Sequence, residues 1–200
     1  MSEWTLSRLE VPSAIALRAR ILDAYGQHQF ILNEFASQTK QILWHNDFRS
    51  SCGLTFTILS DFPLRLNREF TAMTLRSKRF PYEAVSRIRR FQFSVLLPCE
   101  VQRMYQSKRG PIPLEEQPEW FLKKCAGWGF SAESLYVRSL RPASFIQRKK
   151  GQPSRRIILT NSEFSGILSV DDRETFLKSV LFGIGRHKAF GYGLLRLSSI

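Results

Sequence analysis

IILTNSEFSGILSVDDRETFLKSVLFGIGRHKAFGYGLLRLSSI, residues 157–200, carries the pattern that decides the fold. Ile157 to Val170 reads as strand. Asp171 and Asp172 follow, acceptors suited to capping a helix, and Phe176, Leu177 and Val180 continue at helical spacing. Gly183 to Gly193 is glycine-rich, and Leu194 to Ile200 reads as strand again. Working back along the chain, Ser134 to Val137 is strand-like, with an extension toward Gln147. Leu114 to Cys125 reads as a helix: Pro118 is tolerated in the first turn, and Glu115, Glu116 and Glu119 suit the N-terminal dipole. Gly127-Trp128-Gly129 ends it. Phe91 to Leu97 is another strand. The order strand, helix, strand, strand, helix, strand is the split βαβ unit of ferredoxin-like folds.

The first half fits the same order more loosely. Thr5 to Val11 alternates as a strand, and a helical pattern follows Pro12 and Ser13. Asp23 to Gly26 reads as a break, and His28 to Ala36 resumes helical spacing through Ile31, Leu32 and Phe35. Gln41 to Phe48 and Leu54 to Leu59 read as strands around the turn-prone residues 49–53. Leu64 to Glu69 is a weak element, and Phe70 to Phe80 is a strand ending at Pro81. The expected fold class is α+β, with two tandem ferredoxin-like (RRM-like) βαββαβ domains. Their expected bounds are residues 1–85 and 90–200, joined near residues 81–90.

Charge narrows the partner. The 200 residues hold 30 Lys and Arg against 17 Asp and Glu, a formal net charge of +13, which points to a polyanion. One cluster holds Arg65, Arg68, Arg76, Lys78, Arg79, Arg87, Arg89 and Arg90. A second, from Arg138 to Arg156, has seven basic residues and no acid. Its centre, Arg148-Lys149-Lys150-Gly151-Gln152-Pro153-Ser154-Arg155-Arg156, reads as a hairpin tip for a phosphate backbone, with salt-sensitive binding. No apolar run is long enough to span a membrane, and MSEWTLSRLE has neither the basic nor the apolar region of a secretory leader. Cys52, Cys99 and Cys125 are scattered, and His28, His45 and His187 are the only histidines. No metal centre, cofactor or disulfide framework is expected, and the location expected is cytoplasmic.

The glycine segment Gly183-Ile184-Gly185-Arg186-His187-Lys188-Ala189-Phe190-Gly191-Tyr192-Gly193 is neither a Walker A loop nor a Rossmann fingerprint, because a helix precedes it. Turned backbone of this kind can approach a phosphate, or can serve as a turn alone.

Residues 164–170, the following helix and GIGRHKAFGYGLLRL resemble the C-terminus of the CRISPR-associated repeat-processing endoribonucleases of the CasE type, found in type I-E Cascade complexes. That branch ends in G[IV]GxxKxxGxGLL, which Lys188 and Leu194-Leu195 match; a related type IV system is equally compatible. Tyr25-Gly26-Gln27-His28 resembles the family's Tyr-x-x-His at the start of its first helix. Residues 148–157, followed by Phe164 and Gly166, resemble its basic hairpin. Phe91-Gln92-Phe93 and Lys108-Arg109 resemble its inter-domain strand and the next loop. Arg156 departs from the pattern, which often has Lys there; Arg keeps the charge but is a poorer proton donor.

The resemblance implies a metal-independent ribonuclease. It would bind the stem-loop of a CRISPR repeat RNA and cut at the 3′ base of the stem. Attack by the 2′-hydroxyl would leave a 2′,3′-cyclic phosphate and a 5′-hydroxyl. The crRNA would stay bound and carry the protein into an effector complex with other subunits. Tyr25, His28 and Arg156 are the catalytic residues so implied, with His28 as base or acid. The RNA grip would use Arg76, Lys78, Arg79, Arg87, Arg89, Arg90, Lys108, Arg109, Arg148, Lys149, Lys150 and Arg155. Gly183, Gly185, Arg186, Lys188, Gly191 and Gly193 would form the face beside the cut. His45, Trp120 and Trp128 read as structural. A non-catalytic RNA-binding subunit on the same fold is the alternative.

Overall fold

The structure, a computed structural model, describes residues 3–50, 53–66, 72–102, 109–147 and 155–200. The elements in chain order are β1 (Thr5–Pro12), α1 (Ser13–Arg18), α2 (Ala24–Phe35), β2 (Ile42–Ser50), β3 (Gly53–Ser60), β4 (Thr74–Arg79), α3 (Tyr82–Arg87) and β5 (Arg90–Pro98). Then come β6 (Glu100–Gln102), β7 (Arg109–Pro111), α4 (Gln117–Cys125), β8 (Phe130–Ser139), β9 (Ala143–Gln147), β10 (Arg155–Leu159), β11 (Asn161–Val170), α5 (Arg173–Phe182) and β12 (Arg196–Ser199).

Two antiparallel four-stranded sheets carry the fold, in the orders β2-β3-β1-β4 and β12-β5-β11-β8. Counted within each half, both orders are the same: the first strand lies between the third and the fourth, and the second lies outside the third. This is the tandem ferredoxin-like α+β architecture. Among the described residues, no helix is long and apolar enough to cross a membrane.

In the first sheet, β1 alternates as a half-buried strand should. Leu9 and Val11 face the core while Arg8 faces solvent. Its inner face meets Ile31 and Phe35 of α2, and Phe56 and Ile58 of β3, in one buried cluster. The second sheet has an aromatic core. Phe121 of α4 stacks between Phe93 of β5 (5.8 Å) and Phe164 of β11 (4.5 Å). Asp172 caps α5, accepting hydrogen bonds from the backbone N–H groups of Glu174 and Thr175. Cys99 and Cys125 are buried and unpaired, and burial pushes their thiols up to about 11 and about 12.

The chain groups into two compact units. The first is residues 1–82 with 144–157 and 188–191; the second is residues 83–143, 158–187 and 192–200. Of the residues expected with the second domain, 144–147, 155–157 and 188–191 group with the first unit. Other differences are local. The helix expected from His28 starts at Ala24, because Asp23 caps it, so the expected break at 23–26 lies one turn earlier. The strand read over 157–170 divides at Thr160, whose carbonyl turns to the Cys99 N–H. The last strand is only Arg196–Ser199, since Gly193 bonds back to Leu96. Leu64 to Leu66 form neither helix nor strand, and the rest of that weak element, 67–69, lies outside the described residues. The joining region holds a short helix, α3.

Candidate active site in the first unit

The first unit brings Tyr25 and His28 to one flank of α2. A turn after α1 carries the chain through Arg20, which adopts a left-handed φ of 55°. Asp23 then begins the helix by accepting a 2.7 Å hydrogen bond from the Gly26 N–H. Gln27, Phe30, Ile31, Glu34 and Phe35 turn inward. Tyr25 and His28, three residues apart, are neighbours on the helix surface and are half-buried.

Four rings close around this flank. Tyr25 stacks on Phe145 of β9 at 6.1 Å and lies 6.4 Å from the His28 ring. His28 lies 5.0 Å from Phe190, and Phe190 lies 4.8 Å from Phe145. Phe190 ends a single 3₁₀ turn, Lys188–Phe190, which packs against α2 and β2. Gly191 holds that turn down. With φ at +85°, its backbone lies so close to Trp44 that a Cβ would meet the indole ring at 2.6 Å. Trp44 is in turn braced edge-on by Phe56.

This cage sets the chemistry of His28. Burial lowers its pKa below 6.5, and a hydrogen bond to the Ala189 backbone opposes part of that shift. The neutral imidazole therefore dominates at neutral pH, the form that accepts a proton. Burial also lowers the pKa of Lys188, one residue before Ala189. Arg156 is exposed, and its Nε donates to the Ser144 hydroxyl at 3.0 Å, beside Phe145. A cavity of about 760 Å³ opens along the Tyr25 side, lined among others by Arg20, Gly26, Ser144 and Phe145. Among the described residues, no three His, Cys, Asp or Glu side chains cluster as a metal site would require.

The other expected contacts are dispersed. Arg76, Lys78 and Arg79 are exposed on β4, an edge strand of the first sheet. Arg87, Arg89 and Arg90 belong to the second unit. Arg87 pairs with Glu83 at 3.8 Å, and Arg90 grips Glu133 through two hydrogen bonds. Lys108, Arg148, Lys149 and Lys150 lie outside the described residues, as do the side chains of Arg109 and Arg155. β9 and β10, on either side of the basic stretch, pair with each other.

Gly183, Gly185, Gly191 and Gly193 all have positive φ. The N–H groups of Ile184, Gly191 and Gly193 are used by the carbonyls of Gly193, Lys188 and Leu96, so these amides serve the fold. His45 is buried in β2. Trp120 and Trp128, read as structural, pack one side on core phenylalanines and are otherwise half-exposed.

The sequence matches the profile of the family described as "CRISPR associated protein" over residues 5–198. The chain belongs to that family. No curated protein sequence matches it. Among solved structures, this CRISPR-associated protein is similar to Thermus thermophilus Cse3 bound to an RNA representing a pre-cleavage complex. The identity is 19% over 98% of this chain and 99% of that one, with a TM-score of 0.77. It is also similar to the CRISPR-associated protein Cas6e from Escherichia coli K-12, at 20% identity over 98% and 100% of the two chains and a TM-score of 0.72. A chain of a CRISPR RNA-guided surveillance complex in a pre-nicking state matches at 22% identity over 98% and 100%, with a TM-score of 0.69. These likenesses bear on the fold, and the two-sheet architecture is common to all of them.

Sequence reasoning missed Phe145, Phe190 and Trp44. The available signals were slight: Phe190 within the glycine segment, and Phe145 just ahead of the basic run.

Proposed function

We propose that this protein is an endoribonuclease that binds the stem-loop of a CRISPR repeat RNA and cuts the precursor at the 3′ base of the stem. The observation that carries this reading is the half-buried His28, kept neutral by an aromatic cage beside Tyr25 and the Lys188 turn. Family membership and the RNA-bound relatives of the same fold support the choice of substrate.

In the proposed reaction the 2′-oxygen upstream of the scissile phosphate attacks phosphorus, and neutral His28 takes its proton. The bond from phosphorus to the 5′-oxygen breaks, leaving a 2′,3′-cyclic phosphate. The departing 5′-oxygen takes a proton, for which the Lys188 ammonium, eased toward release by burial, is suited. Arg156 holds charge on the phosphate, and Tyr25 positions it. The reaction needs no metal ion. The catalytic pair lies in the N-terminal domain, residues 1–85. The basic residues hold the stem, and the product stays bound within an effector complex.

The test uses the full chain, a repeat hairpin RNA and EDTA. His28→Ala is expected to lower the cleavage rate about 10²- to 10⁴-fold while hairpin affinity changes little. A 2′-deoxy nucleotide at the cut site should abolish cleavage. Equal cutting with and without His28, or cutting of the deoxy substrate, refutes the mechanism.

A further inference from the structure

The second unit contains a separate cavity of about 500 Å³, in the size range of small-ligand sites. Its walls include Trp120 and Trp128, the cationic side chains Lys124 and Arg186, and His187 facing Glu100. Both indoles are held from behind. Trp120 packs on Phe164 at 5.9 Å, and Trp128 packs on Phe121 at 5.4 Å and Phe130 at 6.1 Å. The rings are thus presented as fixed, half-exposed plates at little entropic cost on binding. Lys124 and Arg186 are exposed, so their charge is available to an anion. His187 is held at a left-handed φ of 57°, with Nε2 3.8 Å from Glu100 Oε2.

We propose that this cavity is a docking site for one unpaired nucleotide of an RNA strand. Flat indoles beside two cations match a base attached to a phosphate: the rings stack and the cations neutralise. The Glu100 carboxylate accepts hydrogen bonds only, so it can take an N–H from the base edge, the cytosine amino group or the uracil N3–H. The proposal rests on the RNA-binding reading above but concerns a second contact, with an unpaired nucleotide rather than the stem. The net charge of +13 favours a nucleic-acid occupant over a basic or neutral peptide.

The experiment measures binding of three labelled RNA heptamers that cannot form a stem: seven cytidines, seven uridines, and the cytidine strand with abasic sites. The cytidine and uridine heptamers, which both stack and both offer an N–H, are expected to bind at least fivefold tighter than the abasic strand. Trp120→Leu and Lys124→Glu should each weaken cytidine binding by about 5- to 100-fold. Lys178→Glu, an equal charge change on α5, should leave it within twofold. Circular dichroism checks that Trp120→Leu is folded. If it is not, Lys124→Glu and the abasic strand decide the question.

Equal binding of the cytidine and abasic strands overturns the proposal. So does an equal loss in Lys124→Glu and Lys178→Glu, or binding of an acidic aromatic peptide here with no heptamer bound. Cleavage of the repeat hairpin by the unmodified protein is measured alongside. Heptamer selectivity without cleavage removes the nuclease reading and leaves the pocket; cleavage without selectivity does the reverse.

Discussion

Replacing Phe190 by Ala removes one wall of the cage while leaving in place every group of the proposed proton transfer. The ring lies 5.0 Å from His28 and 4.8 Å from Phe145, so two aromatic contacts are lost together. Each such pair contributes about 0.5–1.5 kcal/mol, and the lost apolar contact of a half-buried ring adds to that. The expected destabilisation is about 2 kcal/mol, roughly a thirtyfold rise in the unfolding constant at 25 °C. Water then reaches His28. Burial is the main reason its pKa is low, so that pKa should rise toward 6.5. A two-dimensional NMR titration of the imidazole reads this directly, and urea unfolding reads the stability. In cleavage assays the acid limb of the kcat/KM profile should move to higher pH, and Phe190→Leu should restore part of the original position. A folded Phe190→Ala protein whose His28 titrates unchanged refutes the argument that the cage sets the pKa.

Three further outcomes follow from the same geometry. Gly191→Ala puts a Cβ into the Trp44 ring at a φ of +85°, and should cost about 2–4 kcal/mol and lower cleavage at least tenfold, as read by thermal unfolding and single-turnover rates. Asp23→Ala removes the cap of α2 and should cost about 1 kcal/mol, with a larger effect on kcat than on RNA affinity because the helix start carries Tyr25. The low pKa of His28 also links to stability: the unfolded chain binds the proton first as pH falls through 6.5, so stability should decline below that pH, and His28→Gln should flatten the decline.

How legible these features were depends on how local their causes are. The cap at Asp172 and the alternation through Leu9 and Val11 are short-range effects, and both were readable as sequence. Much of the second half was readable because elements such as α4 carried their own stop signal, here the left-handed Gly129. The break at Thr160 was not, because nothing in Leu-Thr-Asn announces it; the cause is the distant amide of Cys99. The Tyr-x-x-His pair could be picked out, but its partners come from residues 145 and 190, far along the chain. Their packing against α2 is tertiary, and aromatic residues beside basic or glycine-rich runs have no periodicity to betray it. The glycine segment was readable as a phosphate approach or as a turn alone, and the close contact of Gly191 with Trp44 is visible only in three dimensions.

The placement of His28 among rings rather than among charges has a consequence for a protein that is +13 overall. A cluster of cations around the imidazole would also hold its pKa down, but salt would screen that influence, and a bound phosphodiester would cancel much of it. Burial against Phe190 is not screened. When RNA brings a phosphate close, its negative charge raises the imidazole pKa, and the desolvating cage works against that rise. The two effects oppose each other at the step for which the proposed mechanism uses a neutral base. On the proposed mechanism, strong attraction of RNA through residues such as Arg76 and Lys78 on β4 is then compatible with a neutral His28. On that mechanism the cations of β4 and the rings around His28 are different side chains, which lets stem binding and the His28 pKa be varied separately.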